Sequence, residues 1–121
     1  MALKKAFKRL TTPVSELDRD RLRDFCSRVE GVTCICDCEP RSEVTVVGEI
    51  TNVRIVPRPD GSPWLEATVK DGTGSLDVMW TGRTHIAGVV AGRRLTVTGR
   101  GAPKGRGGRL LVINPRYELL A

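Results

Sequence analysis

Three groups of residues in this chain are of types that do chemistry. They are the turn Asp71-Gly72-Thr73-Gly74, the cysteines Cys26, Cys34, Cys36 and Cys38, and the bases around Trp64 and in the stretch 101–109. A glycine-rich turn can wrap backbone N–H groups around a phosphate, but the P-loop form needs G-x-x-x-x-G-K-[ST] running into a helix. Here Gly74 is followed by "SLDVMW", in which Leu76, Val78 and Trp80 alternate as on one face of a strand. The turn is therefore predicted to be a hairpin connection between two short strands.

The cysteines pose a metal question. If "CICDC" is extended, Cys34, Cys36 and Cys38 share a face, and Cys26 on a predicted helix could approach as a fourth ligand. Four thiolates suit structural zinc, but the paired C-x-x-C spacing is absent. Cys26 also falls on the apolar side of its helix, where a buried cysteine is ordinary. The expectation is packing and no cofactor, with zinc at these four residues as the minor alternative. His85 is the only histidine, with no serine or cysteine nucleophile evidently paired to it. No two carboxylates mark an obvious shared site, so a binding protein is expected rather than an enzyme.

The elements that must position these residues follow from length, charge and pattern. The 121 residues suggest one domain with a short appendage. Net charge is +6 and unevenly spread. Residues 1–12 carry four bases and no acid, residues 13–43 five bases and eight acids, and residues 44–121 eleven bases and six acids. Fifteen of the twenty bases are arginine, whose planar fork suits phosphates and bases. Such a balance points to nucleic acid or an anionic surface. No apolar run approaches the ~20 residues of a membrane span, and the basic N-terminus lacks the apolar core of a signal peptide. The expected location is the cytoplasm, with reduced thiols.

Residues 1–12 form a basic N-terminal arm, with Leu3, Ala6, Phe7 and Leu10 at helical spacing. A short packed or frayed helix and a membrane- or nucleic-acid-binding arm are both compatible with it. Residues 13–42 hold an amphipathic helix over 15–30 and the cysteine-containing connection. Ser15 is its predicted N-cap, Leu22, Phe25, Cys26 and Val29 its apolar face, and Gly31 its stop. From residue 43 to 121 the period becomes two, giving five strands with a short link, at most one helical turn, between the third and fourth. Pro115 bends the last strand or puts it on an edge.

Five short strands with this punctuation describe an OB-fold, a mainly β Greek-key barrel. The stretches "VTVVGEITNVR", "WLEATVKDGTGSLDVMW", "GRRLTVTGR" and "NPRYELL" resemble the OB-fold family of nucleic-acid-binding domains. They are most similar to the wedge domain of RecG-type helicases, the anticodon-binding domains of some tRNA synthetases and small stand-alone bacterial OB-fold proteins. Gly48, the 71–74 turn, Trp80, Gly92, Gly99 and Asn114-Pro115-x-Tyr117 carry the likeness, which covers residues 43–120. No helicase motor or synthetase catalytic domain accompanies it, so the resemblance implies a binding surface. Gly48 and Gly99 also suit bulges or bends where a Cβ would crowd, and Trp80 is expected in the core.

In OB-folds the ligand crosses strands two and three between two flanking loops. By alternation, strand two turns Trp64, Glu66, Thr68 and Lys70 outward, and strand three Asp77 and Met79. Arg54 and Arg58 flank one side, Lys104, Arg106 and Arg109 the other, and Arg83 follows strand three. Trp64 is expected either to stack on a base or to cover an open end of the barrel. The predicted partner is single-stranded or structured DNA or RNA, bound with little sequence preference and strong salt dependence. Glu66 and Asp77 are expected to repel phosphate. The alternative is a protein-interaction module that uses the helix and arm.

Overall fold

The computed structural model describes residues 14–104 and 108–121. The predicted arm 1–12 and Arg106 lie outside the described residues. Helix α1 spans Val14–Ser27, a 3-10 turn spans Ile35–Asp37, and six strands follow. They are β1 Glu43–Pro57, β2 Pro63–Lys70, β3 Ser75–Thr81, β4 Arg94–Pro103, β5 Leu110–Ile113 and β6 Arg116–Leu119.

β1, β2 and β3 form an antiparallel meander. β3 pairs with β5 in parallel, β5 with β4 antiparallel, and β4 with β1 antiparallel. The result is a closed ring of five strands, the expected OB-like fold. The sixth strand is the far half of the predicted last one: β5 and β6 both pair with β4, separated at Asn114-Pro115. Asn114 takes φ 50°. Its N–H donates to the Met79 carbonyl at 2.6 Å. Its side-chain oxygen accepts from the Thr81 N–H at 3.0 Å and its amide donates to the Thr81 hydroxyl at 3.1 Å. An amide side chain thus continues the β3 ladder where the prolyl residue interrupts it.

The period-two pattern fills the ring. Val46, Ile50, Leu65, Ala67, Val69, Leu76, Val78, Leu95, Val97 and Val112 are nearly solvent-free, and Trp80 joins them at 5% exposure, as expected. A Cβ on Gly48 would sit 2.5 Å from the Lys70 carbonyl oxygen, so β1 and β2 approach there only because that atom is missing. A register shift between Ile50 and Asn52 then bends β1.

The link 82–93 contains no helix. Two tight turns, Val89 N to Ile86 O at 3.0 Å and Arg93 N to Val90 O at 3.2 Å, bring Ile86 and Val89 into the core instead. Helix α1 includes Val14, so Ser15 lies within it rather than at its cap. It also stops three residues earlier than 30, because Arg28 and Val29 bond back to Phe25 and Cys26 at 3.2 Å in the tighter three-residue manner. Leu22 and Cys26 pack on Val47, with Phe25 and Val29 beside them, as the apolar face predicts.

The 71–74 turn is the hairpin connection, and its chemistry points inward. Asp71, 2% exposed, accepts the Thr73 N–H, Thr73 hydroxyl and Gly74 N–H at 2.8, 2.6 and 3.1 Å through one oxygen. Its other oxygen accepts the Ile35 N–H at 2.7 Å. A carboxylate takes the N–H donors that a phosphate would need. Gly72, at φ 88°, lies under α1, where a Cβ would meet Arg23 Cβ at 2.6 Å and the Arg19 carbonyl oxygen at 2.7 Å.

Candidate nucleic-acid interface

The strand registers turn the predicted residues to one face. Trp64 stands opposite Thr81, Glu66 opposite Met79, Thr68 opposite Asp77 and Lys70 opposite Ser75. Arg54 on β1 stands opposite Glu66. That face is not an open groove at its centre. Glu66, Thr68, Met79 and Asp77 are 1–5% exposed. A ligand crossing the face would meet the cations that contact Glu66, Thr68 and Asp77 before those side chains.

The centre is an ion-pair cluster. Glu66 Oε1 accepts from both Arg54 and Lys104. Asp77 accepts from Lys104 Nζ at 2.8 Å, Thr68 Oγ1 at 2.7 Å and Arg109 Nη1 at 3.4 Å. Arg54 Nη1 spends its donors on Asn52 at 3.0 Å and on the Thr68 hydroxyl at 3.2 Å. Arg109 makes a single longer contact and keeps the rest of its fork outward. Arg54, Lys104 and Arg109 side chains remain 36%, 37% and 45% exposed, so their outer faces meet solvent. Three cations over two carboxylates leave one net positive charge.

The cluster favours the charged forms of Asp77 and Lys104. Burial would push the Asp77 carboxyl up, but hydrogen bonds from Lys104 and Thr68 and the charges of Lys104 and Arg109 outweigh it and hold it below the ordinary value. Burial would likewise lower Lys104, and its bonds to Asp77 and Glu66 raise it instead. The expectation that Glu66 and Asp77 stand bare to repel phosphate therefore needs amendment: both lie beneath cations that they neutralise.

At one end of the face the Arg58 guanidinium carbon lies 3.7 Å from the centroid of the half-buried Trp64 ring. One face of the indole is thus already stacked. Arg83 is exposed two residues beyond Thr81, Trp64's partner, and belongs to that end. Lys70 sits six residues along β2 from Trp64, about 20 Å away at strand rise. It lines a cleft of about 580 Å³ between α1 and the 71–74 turn, with Asp18, Arg19, Glu49 and Thr51. The sequence-predicted residues therefore form three groups rather than one groove.

The cysteine stretch is not extended. Asp71 holds Ile35 N–H, Thr73 Oγ1 accepts Cys36 N–H at 3.3 Å, and Ile35 inserts into the core, which curls residues 35–37 into a turn. Cys34 and Cys36 are exposed, and the Cys26 thiol donates to the Val47 carbonyl at 3.4 Å. Among the described residues no three His, Cys, Asp or Glu side chains are placed to hold a metal ion, and no helix is long and apolar enough to cross a membrane.

The pairing of Lys104 and Arg109 with Glu66 and Asp77 was the element sequence reasoning missed. Its signal was present: two acids at alternate outward positions on adjacent strands, facing a loop with bases.

Strand order and site geometry define an OB-like domain. The fold is similar to part of "Structure of RecG bound to three-way DNA junction", with TM-score 0.59 and 21% identity over 73% of this chain and 12% of that one. This chain thus spans about an eighth of that protein's length. It also resembles a putative nucleic acid-binding lipoprotein from Klebsiella pneumoniae subsp. pneumoniae, at TM-score 0.48 and 16% identity over 68% of this chain and 72% of that one. No protein-family model matches the sequence, and no curated protein matches it.

Proposed function

We propose that this chain binds nucleic acid, single-stranded or structured DNA or RNA, with little sequence preference, across the β2–β3 face and its flanking turns. The observation that carries the reading is the row of side chains along that face: Trp64 with Arg58, then Arg54, Lys104 and Arg109. Exposed guanidinium and ammonium groups track a phosphate backbone, and an aromatic at one end offers a base its π-face. The RecG likeness speaks for the fold, and the cations speak for the ligand. The reading requires neither catalysis nor a cofactor, and it fits a cytoplasmic protein with free thiols.

The net charge of only one on the central cluster favours weak to moderate binding. It also favours a second reading, a protein-interaction module using the charged outer side of α1, where Arg23–Asp20 and Arg28–Asp24 pair in solvent. The deciding experiment is fluorescence anisotropy of labelled single-stranded DNA, single-stranded RNA and duplex, from about 20 to 200 mM salt. Saturable binding whose log affinity falls linearly with log salt, with Trp emission quenched, supports the first reading. No binding at low salt discards it, and a pull-down with and without residues 1–30 then tests the second.

A further inference from the structure

The β2–β3 face pairs two features that act on different parts of a nucleic acid. At its centre, Lys104 and Arg109 are tied to carboxylates buried to 5% and 1% side-chain exposure. At its end, the Arg58 guanidinium stacks on the half-buried Trp64 ring. A duplex offers phosphates alone to such a face, at one charge per ~1.7 Å of axis. Its bases are stacked and paired, out of reach of Trp64. A single strand offers phosphates and an unstacked base.

We propose, building on the nucleic-acid reading above, that Glu66 and Asp77 are specificity-determining residues: by occupying Lys104 and Arg109 from behind, they suppress backbone-driven binding and so favour single strands over duplex. The acids leave the cluster one net charge where three cations stand. Duplex binding depends on that charge almost entirely, whereas single-strand binding also draws on the stack. Thr68 supports the arrangement, since its hydroxyl donates to Asp77 and accepts from Arg54. Both acids are therefore fixed in place, which a freely solvated carboxylate is not.

The test compares the wild-type chain, the isosteric double variant E66Q/D77N and the single variant E66Q on a labelled single strand and a duplex of equal length, each across a salt series. The double variant should bind duplex at least about tenfold tighter at 50 mM salt, with a smaller gain on the single strand. Its single-strand salt slope should steepen by about 0.7 to 1.4, as Lys104 and Arg109 become free to contact phosphates. E66Q removes one carboxylate and leaves Asp77 bonded to Thr68 and Lys104, which keeps the decision open if the double variant does not fold. Its single-strand slope should steepen by about 0.7, and its duplex affinity should rise by more than its single-strand affinity. A folded double variant with unchanged duplex affinity and slope overturns the proposal while wild-type binding stands. So does a folded E66Q variant with unchanged duplex affinity and slope. If neither wild type nor the double variant binds, the nucleic-acid reading itself falls.

Discussion

Replacing Asp71 by Ala should cost this fold more than any other single polar change at the 71–74 turn. The carboxylate accepts three backbone N–H groups, from Ile35, Thr73 and Gly74, at 2.7, 2.8 and 3.1 Å. Truncation leaves them without acceptors. The Ile35 N–H bond is buried, and an unmet buried donor costs roughly 1–3 kcal/mol. The other two are half-buried and partly regain water, so each adds less, about 0.5–1 kcal/mol. The expected loss is about 2–5 kcal/mol. Because the turn holds both the 35–37 segment and the platform under α1, the loss should appear in global stability rather than local fraying. Urea unfolding followed by Trp fluorescence measures it. With a slope of about 1.5 kcal/mol per M, the midpoint should fall by roughly 1.3–3.3 M, with the slope unchanged. A loss below about 1 kcal/mol would refute the reasoning, because it would mean that the turn holds its shape without its acceptor.

Three further outcomes are expected. Asp77, held below its ordinary 3.8, adds stability that is complete above that pH and lost as pH falls through the lowered value. Lys104, raised above 10.5, adds stability that is complete below that pH and lost as pH rises through the raised value. Urea midpoints from pH 2.5 to 11 should therefore drop at both ends, and a D77N variant should lose most of the acid-side drop. The Cys26 thiol, pushed up to about 11 by burial and then by Asp71, should resist a thiol-exchange reagent at pH 8 until the chain unfolds. Exposed Cys36 should react at once, and fast labelling at Cys26 would contradict the packing of α1. Asn114→Ala should destabilise by about 1–2 kcal/mol through the lost bridge to Thr81 and the unfavourable φ, read by thermal unfolding.

Legibility followed the physical source of each feature. The ring was readable because buried strands alternate strictly: Leu65, Ala67 and Val69, then Leu76, Val78 and Trp80, announce their faces without reference to anything distant. Gly48 was readable because close approach leaves only glycine. The link 82–93 was less so, since burial of Ile86 and Val89 against distant strands, not local propensity, decides its turns. The conformation of the cysteine stretch, which the sequence left conditional, was hidden for the same reason: an acceptor 36 positions away, Asp71, curls it. The orientation of Glu66 and Asp77 was legible, but their burial was not. Alternation gives a side chain's direction and says nothing about a loop that returns to cover it.

The order of pairing around the ring has a kinetic consequence. β1, β2 and β3 are joined by short turns and can assemble as neighbours. The other edge of β1 must wait for β4, where Glu43 meets Arg100 and Glu49 meets Arg94 across half the chain. Such non-local closure is slow, in the millisecond-to-second range for rings of this kind. Until it occurs, "VTVV" at residues 44–47 lies along an open edge, apolar, β-branched and without charge. Refolding at high protein concentration should therefore lose material to strand-to-strand association through this segment, and a lower concentration should restore the yield.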